Sequence, residues 1–262
     1  MQELRREKIK CLLSERESVE ISELVSVLGV SEMTVHRDLD VLQREGYLTK
    51  LRGGAVLNES AANQKSADYH YNRVQNLFIE EKKAIAREAF HLISDRETII
   101  FDNSTTAFQL ARLLRDRNQL TVIATNPGVF NELMHESNLS LYCTGGLYSS
   151  QTNSFVGSAA EDFVTRLDIT TCVIGANSVS LENGVTDPYP AEASLKRKII
   201  AASRRTLLLA DHNKFLRATT EKVADIEDFD CIITDWKTDS ALVEKLAEKT
   251  RVIVSPKDIR VE

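Results

Sequence analysis

An alternation of apolar runs with helical patterns sets the strongest limit on the fold of this chain. Seven short apolar runs are bounded by small or polar residues: TIIFD, LTVIATN, LSLYCTGG, CVIGAN, TLLLAD, DCIITD and RVIVS. Amphipathic stretches such as IEEKKAIAREAFHLI, TAFQLARLLRD and AEASLKRKIIAAS precede or separate them. Because two parallel strands need a long crossover, usually a helix, this order predicts a Rossmann-like, mainly parallel α/β domain.

The N-terminal part of the chain follows a different pattern, that of two short helices joined by a tight turn. Gly29 suits the left-handed position at a helix end, and Ser31 is expected to cap the next helix by accepting a backbone N–H bond. Beyond it, Val35, Leu39 and Leu42 recur at helical spacing and leave polar residues on the other faces. The pattern predicts a helix-turn-helix.

A glycine pair in YLTKLRGGAVL, Gly53 and Gly54, permits a hairpin between two short strands and predicts a wing. The polar stretch that follows shows no periodicity and predicts a linker. We therefore expect a winged helix-turn-helix domain over residues 1–57, a linker over residues 58–76 and an α/β effector-sensing domain over residues 77–262.

Charge alone does not favour a nucleic-acid partner. The formal net charge is −6, and residues 1–57 hold nine Lys and Arg against ten Asp and Glu. Local clusters of basic residues must therefore supply the attraction to phosphates. These clusters comprise Arg5, Arg6, Lys8 and Lys10, then Lys50 and Arg52. A helical hairpin that only packs is the structural alternative, which the combination of turn and wing disfavours.

The second helix of a helix-turn-helix enters the major groove with its N-terminal residues facing base edges. In this chain these residues are Ser31, Glu32, Met33, Thr34, His36 and Arg37. Arg37 is able to donate to guanine or phosphate, Thr34 to either, and Ser31 to a phosphate oxygen. Double-stranded operator DNA is thus the expected partner.

Small polar residues follow five of the apolar runs. Residues 103–106 (NSTT) combine hydroxyls with backbone N–H groups at a helix start, which is a natural phosphate cradle. Ligands bind at such carboxyl ends of strands in open parallel sheets. The same reasoning applies to Thr125-Asn126, Gly145-Gly146, Gly175-Ala176-Asn177 and Asp211-His212-Asn213-Lys214. The alternative is that these residues only form turns, but their repetition at five strand ends favours one shared crevice.

Glu192 and Lys196 lie four residues apart on one predicted helix. Their spacing suits an ordinary surface ion pair; if that face instead looks into the crevice, Lys196 would meet a phosphate and Glu192 a sugar hydroxyl. The chain shows no HExxH, GxSxG or P-loop pattern, so no catalytic residue, metal site or cofactor is predicted. The four cysteines are scattered and predict reduced, buried thiols: Cys11, Cys143, Cys172 and Cys231. Without a leader or membrane span, we expect a cytoplasmic protein with no membrane partner.

The segment ISELVSVLGVSEMTVHRDLDVLQREGYLTKLRGGAV resembles the N-terminal signature of the DeoR family of sugar-responsive bacterial transcription regulators, in which VSxxTIRRDL is followed by HGGA. The resemblance continues nearly to the end of the chain through EKKAIAREAFHLI, FDNSTT for the usual D-x-GTT, TNPGV, TGG, SFVGSAAE, NGVTDPYPAEASLKRKII and LLLADHNKF. It implies a C-terminal domain similar to ribose-5-phosphate isomerase that acts as a sensor. Three residues depart from the family pattern: His36 replaces an arginine, Ser104 a glycine and Asn213 a serine.

The resemblance also implies site residues. The DNA-binding candidates are Ser31, Thr34, His36, Arg37 and Arg52. The effector-binding candidates are Asp102, Ser104, Thr105, Thr106, Asn126, Gly145, Gly146, Lys196, Asp211 and Lys214.

The leading hypothesis is a repressor of a carbohydrate-catabolic operon whose DNA binding is modulated by a phosphorylated sugar. A sugar-phosphate isomerase with an appended DNA-binding domain is one alternative, and an α/β domain that only oligomerises is another. Because each chain carries one helix-turn-helix and operators are commonly palindromic, we expect a homodimer or homotetramer.

Overall fold

The structure is a computed structural model that describes residues 5–6, 8–10, 12–13, 18–58, 77–215 and 218–257. It divides into two compact units, Met1–Leu77 and Phe78–Glu262. The predicted linker over residues 58–76 lies outside the described residues from residue 59 to residue 76. Within the described ranges, no helix is long and apolar enough to cross a membrane.

The smaller unit contains the predicted winged helix-turn-helix. Described residues between 5 and 13 are helical, and the elements that follow are β1 (Ser18–Glu20), α1 (Ile21–Leu28), α2 (Glu32–Arg44), β2 (Leu48–Leu51) and β3 (Gly54–Leu57). The three strands form an antiparallel sheet in the order β1-β3-β2. Buried apolar residues from all these elements form one core, among them Ile9, Leu24, Leu39 and Leu48.

The turn between α1 and α2 forms as predicted, with one difference at the cap. Gly29 has a φ of 62° and donates its N–H to the carbonyl of Val25. Ser31 is the residue before α2, but its hydroxyl contacts the hydroxyl of Thr34 at 3.0 Å and accepts no backbone N–H bond. The predicted side-chain cap is therefore wrong, because Thr34 offers a hydroxyl at the same end of the helix.

The larger unit holds twelve strands within the described residues. They are β4 (Thr98–Phe101), β5 (Leu120–Ala124), β6 (Leu139–Cys143), β7 (Leu147–Ser149), β8 (Ser154–Val156), β9 (Ile169–Gly175), β10 (Ser178–Ser180), β11 (Gly184–Asp187), β12 (Ser203–Leu209), β13 (Glu221–Ala224), β14 (Cys231–Asp235) and β15 (Arg251–Ser255). Six helices accompany them: α3 (Ile79–Phe90), α4 (Thr105–Leu113), α5 (Pro127–Leu133), α6 (Ser158–Val164), α7 (Pro190–Ala202) and α8 (Ser240–Ala247).

Seven of these strands form a parallel sheet in the order β15-β14-β12-β9-β4-β5-β6. They coincide with the seven apolar runs, so the predicted α/β fold class is confirmed. Alternate residues point to opposite faces: Ile99 and Phe101 join one apolar cluster, whereas Ile100 joins the other. Burial on both faces explains why the inner strands β4, β5, β9 and β14 are largely apolar, whereas the edge strands β6 and β15 are partly exposed.

The strand order reverses between β4 and β9. From β4 the chain proceeds outward to β5 and β6, then returns to β9 and proceeds through β12, β14 and β15 to the other edge. Neighbouring strands whose connections diverge leave a crevice beyond their carboxyl ends, where ligands of open α/β sheets bind. The β7–β8 hairpin and the antiparallel sheet β10-β11-β13 are additions to the main sheet that the sequence did not predict.

Candidate functional site

Asp102 joins the carboxyl ends of β4 and β9. One of its carboxylate oxygens accepts the N–H of Ser104 at 2.9 Å, and the other accepts the N–H of Gly175 at 2.8 Å. The side chain is buried, and the Asp102 N–H donates to the carbonyl of Val173 at 3.2 Å. Asp102 therefore links the ends of β4 and β9 through its carboxylate and its backbone. We call this place, where the strand order reverses, the switch point.

Lys196 enters the same place from α7. Its Nζ lies 2.9 Å from a carboxylate oxygen of Asp187 and 3.4 Å from one of Asp102. It also lies 3.4 Å from the carbonyl oxygen of Gly175. Burial alone would lower the pKa of Lys196, but the neighbouring carboxylates of Asp187 and Asp102 outweigh it and raise that pKa above its usual value. The ammonium is thus charged and buried between two acids.

Glu192 lies one helical turn before Lys196 and is equally buried. Its carboxylate accepts a hydrogen bond from the hydroxyl of Ser154, which in turn contacts the hydroxyl of Thr152 at 2.8 Å. Burial raises the pKa of Glu192, an effect that the charge of Lys196 partly offsets. The interpretation of these two residues as a surface ion pair is therefore wrong, because the face of α7 that carries them packs inward.

The start of α4 faces this switch point closely. Ser104 caps the helix by accepting the N–H of Ala107 at 3.0 Å. The hydroxyls of Thr105 and Thr106 belong to side chains that are almost completely buried. A Cβ atom on Gly175 would lie 2.1 Å from the Cβ of Ser104, so only glycine allows the end of β9 to approach this loop.

Asn126 supports the site from β5. Its side-chain amide donates to the carbonyl of Asp102 at 2.8 Å, and its side-chain oxygen accepts the N–H of Val129 at 2.9 Å as the cap of α5. Gly145 and Gly146 follow β6, two strands from β4, and have φ values of 65° and 107°. A Cβ on Gly146 would lie 2.7 Å from a carbonyl of the β7–β8 hairpin, so this glycine allows the hairpin to pack closely.

Asp211 and Lys214 belong to the loop that follows β12, on the other side of β9. Asp211 is fully buried; one carboxylate oxygen accepts the N–H of Asn213 at 3.0 Å, whereas the other accepts no hydrogen bond from any described group. Lys214 is half-buried, and its N–H donates to the carbonyl of Asp211 at 2.8 Å. The structure therefore brings Asn126 and Lys196 into direct contact with Asp102, while the β6 and β12 loops follow other strands of the same sheet.

His212 lies beside Asp211 and is clamped to the end of β14. Its Nδ1 is 3.1 Å from both carboxylate oxygens of Asp235, and its N–H donates to one of them at 2.7 Å. Burial lowers the pKa of His212, but the hydrogen bond to Asp235 outweighs that effect and raises it. The ring of Phe78, the residue before α3, packs edge-on against His212 at 5.1 Å.

Three important side chains of this region were not predicted: Asp187, Ser154 and Asp235. Asp187 accepts hydrogen bonds from Lys196, from the side chain of Asn177 and from the N–H of Tyr189. The sequence signal for Asp187 was the motif NGVTDPYPAEASLKRKII, which contains Asp187 together with Tyr189 and Lys196. Ser154 begins the motif SFVGSAAE and Asp235 ends the apolar run DCIITD, but neither stretch contains the partner, which lies 38 residues away for Ser154 and 23 for Asp235.

The DNA-binding candidates lie at the start of α2 and on the β2–β3 hairpin of the smaller unit. Arg37, Arg52 and Ser31 are exposed, and Thr34 and His36 are partly exposed. The Nε2 of His36 lies 3.7 Å from the carboxylate of Glu32, one turn earlier. Arg37 forms no ion pair with any described residue and is free to meet an anion.

Several basic residues of this unit pair with acids of the same unit. The expectation that they form positively charged clusters is therefore wrong for these residues. Arg5 and Arg6 pair with the buried carboxylate of Asp38, Arg6 at 3.6 Å. Lys10 lies 3.4 Å from Glu45, and Lys50 lies 2.6 Å from Asp40. These ion pairs connect elements of the helix-turn-helix domain. Because each cation is already paired with a carboxylate of the same domain, less positive charge is available to DNA.

Comparisons with known proteins agree with this arrangement. Residues 5–61 match the family model described as the DeoR-like helix-turn-helix domain, and residues 77–236 match that of the DeoR C terminal sensor domain. The chain is 33% identical over 94% of its length to an uncharacterized HTH-type transcriptional regulator of Bacillus subtilis, YulB, and covers 93% of it. It is 32% identical to the transcriptional repressor AccR of Agrobacterium fabrum, with 94% of both chains covered.

An L-fucose operon activator of Haemophilus influenzae is 30% identical to this chain over 82% of it and 84% of the relative. Among solved structures, ribose 5-phosphate isomerase A of Methanocaldococcus jannaschii aligns with 52% of this chain and 53% of its own, at 16% identity and a TM-score of 0.39. That structural likeness is too slight to assign an activity.

Proposed function

We propose, since this chain belongs to the DeoR family of DNA-binding transcription regulators, that it represses a carbohydrate-catabolic operon and that a phosphorylated sugar modulates its binding to DNA. Its relatives are transcription regulators, and their names include both a repressor and an activator. One relative is named for an L-fucose operon, which supports a carbohydrate signal.

Operator binding is assigned to the N-terminal half of α2 and to the wing. Ser31, Thr34, His36 and Arg37 lie at that end of the helix, and Arg52 lies at the tip of the β2–β3 hairpin. Arg37 is suited to a guanine or a phosphate, and the hydroxyls of Ser31 and Thr34 to phosphate oxygens.

The effector is assigned to the crevice at the carboxyl ends of β4 and β9, and this convergence is the observation that carries the proposal. The N–H groups of Thr105 and Thr106 lie in the first turn of α4, where helix geometry leaves them without an intrahelical acceptor. Such a turn favours a phosphate through its N–H groups and its dipole. Ser104 holds the turn in place as its cap.

The carboxylates of the crevice are assigned to the sugar hydroxyls. The unpaired oxygen of Asp211 is buried and accepts nothing from the described residues, so a hydroxyl donor there would satisfy an otherwise costly polar atom. In this proposal, Asp102 and Lys196 determine the charge at the bottom of the crevice. Asn126 holds the loop after β4 through its hydrogen bond to Asp102. The loop that contains Gly145 and Gly146 forms one side of the crevice. Lys214 adds positive charge near the β12 loop.

An enzymatic role as a sugar-phosphate isomerase is the second candidate, because Glu192 is a buried carboxylate whose raised pKa would suit a proton acceptor. We favour the sensor, since the matched relatives are transcription regulators and the helix-turn-helix is intact. We further propose a homodimer or homotetramer, because one helix-turn-helix per chain suits a palindromic operator.

A thermal-shift screen of the full-length chain tests this function. Phosphorylated sugars and the matching free sugars are compared, and a phosphorylated sugar at 100 times its Kd should stabilise the chain by about 2.7 kcal/mol. Thr105→Val, which removes a hydroxyl donor from the first turn of α4, should reduce the shift, whereas Thr98→Val, at the amino end of β4, should not. Steady isomerisation of the stabilising sugar phosphate would instead establish an enzyme. If no phosphorylated sugar raises the melting temperature, the hypothesis of a sugar-phosphate sensor is wrong.

A further inference from the structure

Met33 is the second residue of α2, and 67% of its surface is exposed. The buried face of this helix is supplied by Val35, Leu39 and Leu42, so Met33 lies outside the core of its own domain. An exposed methionine contributes nothing to packing there. Its position nevertheless places it at the end of the helix that meets base edges in a helix-turn-helix.

The charges around Met33 favour DNA as the occupant of this surface. Asp40 is paired with Lys50, and Glu32 lies beside His36, so the acids of the exposed face have partners. Arg37 follows Met33 by four residues and therefore lies one turn along the same face. It forms no ion pair with any part of the chain that the structure describes. The surface thus presents one apolar and one cationic side chain next to each other.

The major groove offers one apolar group, the C5 methyl of thymine. Guanine offers two acceptors that a guanidinium binds as a pair. A methionine beside an unpaired arginine matches a thymine near a guanine, because the flexible thioether adapts to the methyl while the guanidinium takes the acceptors.

We propose that Met33 is a specificity-determining residue that packs on the C5 methyl of one thymine in each operator half-site, next to the base pair that Arg37 contacts. The inference rests on the proposed function, in that it assigns operator binding to α2. It names a base and a functional group that the family assignment does not supply.

Removal of single methyl groups from DNA tests the proposal. The full-length chain first selects its preferred duplex from a random-sequence library. Each thymine of that duplex is then replaced by deoxyuridine, which lacks only the methyl. For the wild-type chain, one replacement in each half-site should weaken binding about fourfold, the value of one buried methyl-sized group, and the other replacements should have little effect.

The variant Met33→Ala should bind the thymine duplex about as weakly as the wild type binds the sensitive deoxyuridine duplex, and it should no longer distinguish the two. Met134→Ala makes the same chemical change at an exposed position of the larger unit and should keep the full sensitivity at that thymine. If Met33→Ala retains the wild-type sensitivity, or if no thymine is sensitive, Met33 does not contact a methyl. If the chain selects no duplex at all, the proposed DNA-binding surface fails together with this inference.

Discussion

The substitution Lys196→Met removes the one ammonium between Asp102 and Asp187 while keeping a flexible chain of similar length. The two carboxylates lie 3.4 Å and 2.9 Å from Nζ, and the carboxylates of both acids are almost completely buried. At an effective dielectric constant of about 20, each attraction at this distance is worth about 5 kcal/mol before the desolvation cost is subtracted. Breaking such a buried cluster by removing one partner typically costs about 3–5 kcal/mol, because uncompensated charge remains.

We therefore expect Lys196→Met to lower the free energy of unfolding of the larger unit by about 3–5 kcal/mol near pH 8, a large part of the 5–15 kcal/mol that domains commonly have. Trp236 is the only tryptophan of the chain and directly follows β14, so its fluorescence reports unfolding of this unit in the full-length protein.

Two comparisons isolate the cause. Lys198→Met makes the same chemical change at an exposed position of α7 and should alter stability by less than about 0.5 kcal/mol. Adding Asp187→Asn to Lys196→Met should recover much of the loss, since the excess negative charge disappears. Equal effects of Lys196→Met and Lys198→Met, or no recovery when Asp187→Asn is added, would refute the assignment of Lys196 as the counter-ion of these acids.

Two further predictions concern neighbouring contacts. Gly175→Ala should lower the free energy of unfolding by about 1–3 kcal/mol in chemical denaturation, because the added Cβ would lie 2.1 Å from the Cβ of Ser104. Adding Ser104→Gly should restore most of the loss. If it does not, the strain does not arise from the contact with Ser104. The hydrogen bond to Asp235 raises the pKa of His212 despite the opposing effect of burial, so its contribution is fully present below about pH 6.5 and is lost as the pH rises through the raised value. Unfolding measured at pH 6 and pH 8.5 should show this loss in the wild type and not in His212→Asn, and equal pH dependence in both would contradict it.

The main sheet was predictable because its strands carry their signal locally. The inner strands β4, β5, β9 and β14 are largely buried on both faces, and each of the seven parallel strands contains a short apolar run that the sequence displays directly. The β7–β8 hairpin and β10 escaped prediction because strands of three residues have too few positions to show a period. Helix α6 has only seven residues and was missed for the same reason.

The site was predictable only where a residue adjoins its strand in sequence. Asp102 directly follows β4, and Asn126 and Asp211 come two residues after β5 and β12, so the rule for parallel sheets made them candidates without any tertiary information. The partners of Lys196 are tertiary, and its spacing from Glu192 on one helix is the same for an exposed and a buried pair. Likewise, a run of basic residues near the N-terminus does not reveal that Arg5 meets Asp38, which lies 33 residues later.

The charges at the switch point also decide how an effector would be oriented. Asp102, Asp187 and Glu192 surround a single ammonium, that of Lys196, so a dianionic phosphate placed against them would be repelled. The first turn of α4 presents N–H groups and the positive end of a helix dipole, and among the described residues only the carboxylate of Asp102 bonds to its cap, Ser104. A phosphate is therefore favoured at α4, and hydroxyl donors are favoured toward the carboxylates. Because Lys196 already compensates the acids, the effector does not have to supply a cation, and neutral hydroxyls suffice at that end. Under the proposed function, we expect a change of sugar specificity to require substitutions among the side chains that face the hydroxyls, while the first turn of α4 is kept.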